Sequence, residues 1–194
     1  MNISAFWQAE GQEHKEVADK TFTALEADFT TWLKAGVSCI KDGGKIMFCG
    51  NGGSAADSQH LATELAVRYK TDRKAIAAVA LTTDTSALSA IGNDFGFEHL
   101  FARQVEAIGR KGDMLIGITT SGNSANVIKA FEQARDMGIT TVALTGETGG
   151  RIGPHSDMMI KIPSRTTARI QEMHITLGQM FCGGLEQSLG RVSE

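Results

Sequence analysis

Asp113-Met114-Leu115-Ile116-Gly117-Ile118, followed at once by Thr119-Thr120-Ser121-Gly122-Asn123-Ser124, decides how the chain is read. The first six residues form an apolar run of strand length. The next six place five hydroxyl or amide side chains around one glycine. A helical pattern starts near Ala125 and carries Val127, Ile128, Ala130 and Phe131 at three-to-four spacing. The first turn of a helix has unpaired backbone N–H groups and a partial positive charge, so a loop of this kind receives anions, phosphate above all. It contains no lysine and no Gly-x-x-x-x-Gly-Lys-Ser/Thr pattern, which excludes a nucleotide P-loop. An ordinary turn ending in a Ser cap has the same local chemistry; a second polar loop, Asn51-Gly52-Gly53-Ser54, separates the two readings. It too joins a strand-like run (Lys45 to Cys49) to a helical one (Ala55 to about Tyr69).

Working outward, strand-like and helical segments alternate. Two helices are expected between Ala5 and Lys41. Strands follow at Lys45–Cys49, Ile76–Leu81, Asp113–Ile118, Thr140–Leu144 and Met158–Ile162. Helices are expected over Leu88–Ile91, Glu98–Ile108, Ala125 to Met137, and from Ser164 or Thr167 towards Leu189. Parallel strands need crossover connections, so this order predicts an α/β fold with a doubly wound, five-stranded parallel sheet flanked by helices. Ligands in such sheets bind outside the carboxyl ends of the strands. Both polar loops leave carboxyl ends and so share one rim.

The chain has 194 residues, enough for one domain with a substantial core. Residues 1–42 read as N-terminal helices of that domain, making oligomer contacts, and 43–194 as its body. A net charge of −3 gives no basic footprint for direct nucleic-acid binding, and no apolar run reaches membrane-spanning length. Three cysteines in apolar segments, and no signal-peptide pattern, suit a reducing cytoplasm. Trp7, Phe22, Phe29 and Trp32 on the N-terminal helices exceed what one sheet can bury, so a homo-oligomer is expected.

Asp57, His60 and Glu64 follow the first loop. His60 and Glu64 stand four residues apart, about 6 Å along one helix face. An imidazole and a carboxylate so spaced either hydrogen-bond to each other or share a divalent metal; zinc takes such N/O ligands. The terminal helix sets Arg169, Gln171, Glu172, His174 and Gln179 among Ile170, Met173, Ile175, Leu177, Met180 and Phe181. Gln171 and Gln179 are about 12 Å apart along it, so a ligand serving both lies between them. Asn93-Asp94 reads as a third polar loop, between helices.

These stretches resemble the phosphoheptose isomerases of the sugar-isomerase (SIS) domain superfamily. The resemblance is carried by Cys49 to Asp57, Gln59-His60 with Glu64, Leu81 to Ser86, Ala90 to Asp94, Thr119 to Ser124 and Arg169 to Glu172. It implies a cytoplasmic homotetramer converting sedoheptulose 7-phosphate to D-glycero-D-manno-heptose 7-phosphate, towards the heptose of lipopolysaccharide. It implies that Asn51, Gly52, Gly53, Asn93 and Asp94 line the sugar and that Thr119, Thr120, Ser121 and Ser124 hold the phosphate. It implies one zinc ion per subunit on His60, Glu64 and Gln171, with Glu64 also the proton-transfer base and Gln171 at the substrate. A family histidine that completes the metal site and acts as second acid/base falls at position 179, where this chain has Gln179. Glutamine has no titratable proton near neutral pH, and loss of one acid/base group costs about 10²–10⁴ in rate. His174 projects about 140° away around the helix and cannot replace it within one subunit. Three readings stay open: an engineered block, a natural enzyme with altered chemistry, or a non-catalytic tetramer that binds the bacterial replication initiator. Glu64 and the intact phosphate loop favour an isomerase.

Overall fold

The computed structural model describes residues 1–190; the last four residues of the expected 43–194 body lie outside the described part. Five strands, β1 (Ile46–Gly50), β2 (Ala78–Ala80), β3 (Met114–Ile118), β4 (Thr140–Gly146) and β5 (Met158–Ile162), form one sheet in the order β2-β1-β3-β4-β5. Every neighbouring pair is parallel. Chain order reverses between β1 and β3, and this switch point is where a doubly wound sheet opens a crevice. Gly50 at the end of β1 pairs with Ile118 at the end of β3, so the two polar loops emerge side by side.

Seven helices flank the sheet among the described residues: α1 (Ile3–Ala24), α2 (Glu26–Lys41), α3 (Gly53–Ala66), α4 (Thr85–Asp94), α5 (Ala102–Ile108), α6 (Ala125–Asp136) and α7 (Thr167–Leu189). β1 and β3 are buried throughout, and their alternate residues feed two cores. Ile46, Phe48, Met114 and Ile116 pack with Trp32, Leu61, Leu65, Leu177 and Phe181 from α2, α3 and α7. Met47, Cys49 and Leu115 pack with Phe101, Val105, Val127, Ala130 and Phe131 from α5 and α6. Trp32 stacks on Phe181 with ring centroids 4.2 Å apart, so it belongs to the core and not to a free surface. Trp7 and Phe22 remain 79% and 47% exposed.

Several boundaries differ from the sequence reading. β2 covers only Ala78–Ala80, because Ile76 spends its N–H on the carbonyl of Leu65 at the end of α3. The short helix expected at Leu88–Ile91 begins at Thr85, where Asp84 accepts a hydrogen bond from Ala87 N and caps it, and runs to Asp94. Asn93 and Asp94 are therefore the last turn of α4 and not a loop; Asn93 Nδ2 donates to Asp94 Oδ1 at 2.7 Å. The single helix expected over Glu98–Ile108 divides into a 3₁₀ turn at Phe97–His99 and α5. Cys39, Cys49 and Cys182 are buried and unpaired, as expected of reduced thiols.

α3 and α7 lie against each other and run in the same direction. Gly178 on α7 meets Leu61 on α3, where an added Cβ would stand 2.6 Å from a leucine methyl; further along, Gly183 meets Tyr69. The end of the pair is fixed by Glu186. Its carboxylate accepts from the backbone N–H groups of Tyr69, Lys70 and Thr71, and it stands 3.3 Å from the Arg73 guanidinium. Arg73 in turn donates to the carbonyls of Glu64 and Leu65 at the end of α3.

His174 is fully buried, with Nε2 donating to the Thr145 carbonyl at 3.1 Å, and Nδ1 has no partner among the described residues. Burial pulls its pKa down from 6.5 to about 4, against the carbonyl hydrogen bond, which raises it. The folded-state pKa is depressed, so the unfolded chain binds the proton first as pH falls. The stability present above about pH 6.5 is then lost towards pH 4, on the order of 3 kcal/mol. Denaturant unfolding at stepped pH is expected to show this slope, and His174→Gln to flatten it; an unchanged slope in the variant would assign the pH dependence elsewhere.

Candidate active site

Three helices open on the rim at the carboxyl ends of the strands, and none has a side-chain cap: α3 after Gly52, α6 after Ser124 and α7 after Thr166. α1 and α4 are capped by Asn2 and Asp84, while α2 and α5 also lack a side-chain cap. Ser124, the residue type that ordinarily caps, instead pairs its hydroxyl with Thr119 Oγ1 at 3.0 Å. Val127 N donates to the Ser124 carbonyl, and the N–H groups of Ala125 and Asn126, without a partner among the described residues, are left to an incoming acceptor.

The loop from Thr119 to Ser124 is held from outside. Gly122 has φ +67° and lies against the turn at Gly149-Gly150; an added Cβ would meet the Gly149 carbonyl oxygen at 2.1 Å. Asn123 Oδ1 accepts from Arg151 N, its Nδ2 donates to the Ser121 carbonyl, and Ile152 N donates to the Gly122 carbonyl. The loop's outer side is thus fixed to the β4–β5 connection. Towards β4 and β5 the loop borders a cavity of about 250 Å³ lined by Thr120, Ser121, Asn123, Glu147, Ser164 and Arg165, with Thr167 of α7. Ser164, Arg165 and Thr167 were not anticipated, because they lie some forty residues on and reach the loop only through the sheet. Arg165 brings the cavity a cation, paired at present with Glu147.

The second group of site residues lies along α3 and α7. His60 Nε2 stands 3.0 Å from Glu64 Oε1 and 3.0 Å from Gln179 Nε2. The parallel course of the two helices brings together residues 119 positions apart. The His60 side chain is 52% exposed and that of Glu64 20%. Burial pushes the carboxyl of Asp57, one turn earlier, above its ordinary range, opposed by the charge of His60. Gln171 sits a full two turns before Gln179, with its amide against the start of α3: a Cβ built on Gly53 would lie 2.7 Å from Gln171 Nε2. Among the described residues it bonds to none of His60, Glu64 and Gln179. Asn93 and Asp94 stand on α4, paired with each other and separate from this cluster in the hydrogen-bond pattern.

No group of three or more His, Cys, Asp and Glu side chains among the described residues is placed to hold a metal ion. His60 and Glu64 nevertheless offer an imidazole nitrogen and a carboxylate at one point. Turning the Gln179 amide about its last bond presents a carbonyl oxygen where Nε2 now stands. That N/O donor set fits a divalent ion, with the amide as its weakest member.

An open parallel sheet with hydroxyl-rich loops at its switch point is the arrangement of a sugar-phosphate-handling SIS domain. A family model described as "SIS domain" matches residues 12–146. The chain is 51% identical over 180 residues to a phosphoheptose isomerase of Helicobacter pylori, covering 93% of this chain and 94% of that one. It is 50% identical over 186 residues to the phosphoheptose isomerase of Paramagnetospirillum magneticum, covering 96% and 97%. The solved phosphoheptose isomerase from Neisseria gonorrhoeae superposes with a TM-score of 0.90 at 43% identity, over 96% of this chain and 100% of that chain. The one from Francisella tularensis gives 0.93 at 35% identity with the same coverage. The chain belongs to the SIS domain family, in its phosphoheptose isomerase branch.

Proposed function

We propose that this chain is an aldose–ketose isomerase acting on sedoheptulose 7-phosphate to give D-glycero-D-manno-heptose 7-phosphate, in the cytoplasm and towards lipopolysaccharide heptose. One observation carries the reading: a hydroxyl loop before an uncapped helix shares a rim with the start of the helix that bears His60 and Glu64. Thr119, Thr120, Ser121, Ser124 and the first turn of α6 bind the phosphate. His60 lies about 10 Å and Glu64 about 16 Å along α3 from its first residue.

Isomerisation moves one proton from C1 to C2 and another from the C1 hydroxyl to the C2 oxygen, through an enediol. Glu64 takes the carbon-bound proton and returns it to the neighbouring carbon, a role that needs a carboxylate within reach of both. Asn51, Gly52, Gly53, Asn93, Asp94 and Gln171 are assigned to the sugar. A zinc ion, when bound by His60, Glu64 and Gln179 with Gln171 as a further ligand, would polarise the two oxygens between which the proton moves. The half-exposed His60 and the apolar groove of Phe22, Leu25, Phe29, Leu177 and Met180 support a homotetramer whose contacts border the site. Ile3, Phe6 and Trp7 are further exposed apolar side chains at the other end of α1. Nothing supports the non-catalytic initiator-binding reading: relatives at about 50% identity carry the isomerase name.

Coupled assay of sedoheptulose 7-phosphate conversion, with and without added zinc, tests the activity. Gln179→His is expected to raise turnover by about 10²-fold or more and to tighten zinc binding, since imidazole is both titratable and the better ligand. Glu64→Gln is expected to abolish that gain, because the two act as a unit. An unchanged rate in Gln179→His, with Glu64→Gln still inactive, would assign the second proton to another group. Light scattering is expected to give a particle about four times the 20.7 kDa chain, and a stable monomer at micromolar concentration would remove the tetramer.

A further inference from the structure

Asn51 and Asn126 are locked to each other by both halves of their amides. Asn51 Nδ2 donates to Asn126 Oδ1 at 2.9 Å, and Asn126 Nδ2 donates to Asn51 Oδ1 at 2.8 Å. Asn126 is 1% exposed, and the two residues are 75 positions apart. Asn51 follows the last paired residue of β1, Gly50, whose partner on β3 is Ile118. Asn126 is the second residue of α6, the helix that begins after the Thr119–Ser124 loop. The amide pair therefore continues the lateral bonding of β1 and β3 beyond the edge of the sheet, at the switch point itself. From there the chain departs to opposite faces: α3 packs its Leu61 and Leu65 into one core, α6 its Val127 and Phe131 into the other. The β1–β3 ladder ends at Gly50 and Ile118, and the amide pair is the next bond joining the two sides beyond it.

We propose that Asn126 is a positioning residue for phosphosugar binding. It acts through Asn51 to hold the first turns of α3 and α6 at the separation one ligand needs. This rests on the reading of the crevice as the sugar-phosphate site, and it changes one part of that reading: the Asn51 side chain is committed to Asn126 first. Each amide keeps one further N–H and one lone pair, so the pair can still meet a ligand, but as a unit.

The test compares Asn51→Ala, Asn126→Ala and the double variant, with Asn126→Ser in place of Asn126→Ala should the latter not fold. Steady-state kinetics with sedoheptulose 7-phosphate and calorimetric titration with inorganic phosphate are run well below each variant's unfolding midpoint. Asn126→Ala is expected to raise KM and weaken phosphate binding roughly tenfold, the scale of two lost hydrogen bonds. Its kcat is expected to stay within about threefold of wild type, because Glu64 lies on a different part of α3. The double variant is expected to be no worse than the poorer single one, since either change breaks the same unit. A lower melting temperature with unchanged KM and phosphate affinity would make the pair a core bond only and overturn the proposal. Additive losses, with Asn51→Ala much the worse, would overturn it in favour of direct contact by Asn51. If the wild type binds phosphate without turning over the sugar, the isomerase reading fails while the phosphate titration still decides the role of Asn126. A wild type that binds neither overturns both.

Discussion

Backbone N–H groups at the start of α3, α6 and α7 all face one rim, and no side chain of their own caps them. A helix end left in this way is costly unless water or a ligand completes it. In α3 the carbonyls of Asn51 and Gly52 already take the N–H groups of Ser54, Ala55 and Ala56, so the starts of α6 and α7 are the more open ends, and the rest of the molecule keeps them together. Ser124 is drawn aside by Thr119, and the loop is fixed outward by the Gly122–Gly150 backbone contact. The parallel order of β1 and β3 sets the first two helix starts side by side. An anion is what such a rim accommodates best, and the hydroxyls of Thr120 and Ser121 add donors without adding charge.

The second half of the site follows from helix packing and not from loop chemistry. α3 and α7 run in the same direction and touch closely through Gly178, so His60 and Gln179 come within 3.0 Å. Glu186 and Arg73 fasten the far end of α3, where Arg73 donates to the backbone carbonyl of Glu64 itself. The cluster is partly exposed on a single chain.

Much of this was legible in the sequence where local chemistry decides structure. Continuous apolar runs at Ile46–Gly50 and Met114–Ile118 mark buried parallel strands, and the polar loops after them mark the rim. The meeting of His60 and Glu64 follows from helical spacing alone. Where the reading missed, tertiary contacts outweighed local preference. Ile76 left the strand to close the end of α3, and Asp84 started a helix earlier than the apolar pattern did. Asn126 carried no signal as a site residue, because an asparagine in a first helical turn reads as ordinary cap chemistry and its partner is 75 residues away. Ser164, Arg165 and Thr167 likewise line the cavity beside the Thr119–Ser124 loop only because β4 and β5 lie next in the sheet. Gln179 could be placed beside His60 only through family resemblance; helix geometry gave its face but not its neighbour.

The central claim is that one crevice at the β1–β3 switch point holds the whole substrate, with its phosphate at the α6 start and its reacting end at Glu64. A crystal structure of the protein soaked with sedoheptulose 7-phosphate tests this most directly. The account predicts phosphate density in hydrogen-bond contact with Thr120, Ser121 and Ser124, and the C1–C2 end of the same molecule beside Glu64. Phosphate density outside the Thr119–Ser124 loop, or a sugar chain directed away from α3, would contradict it.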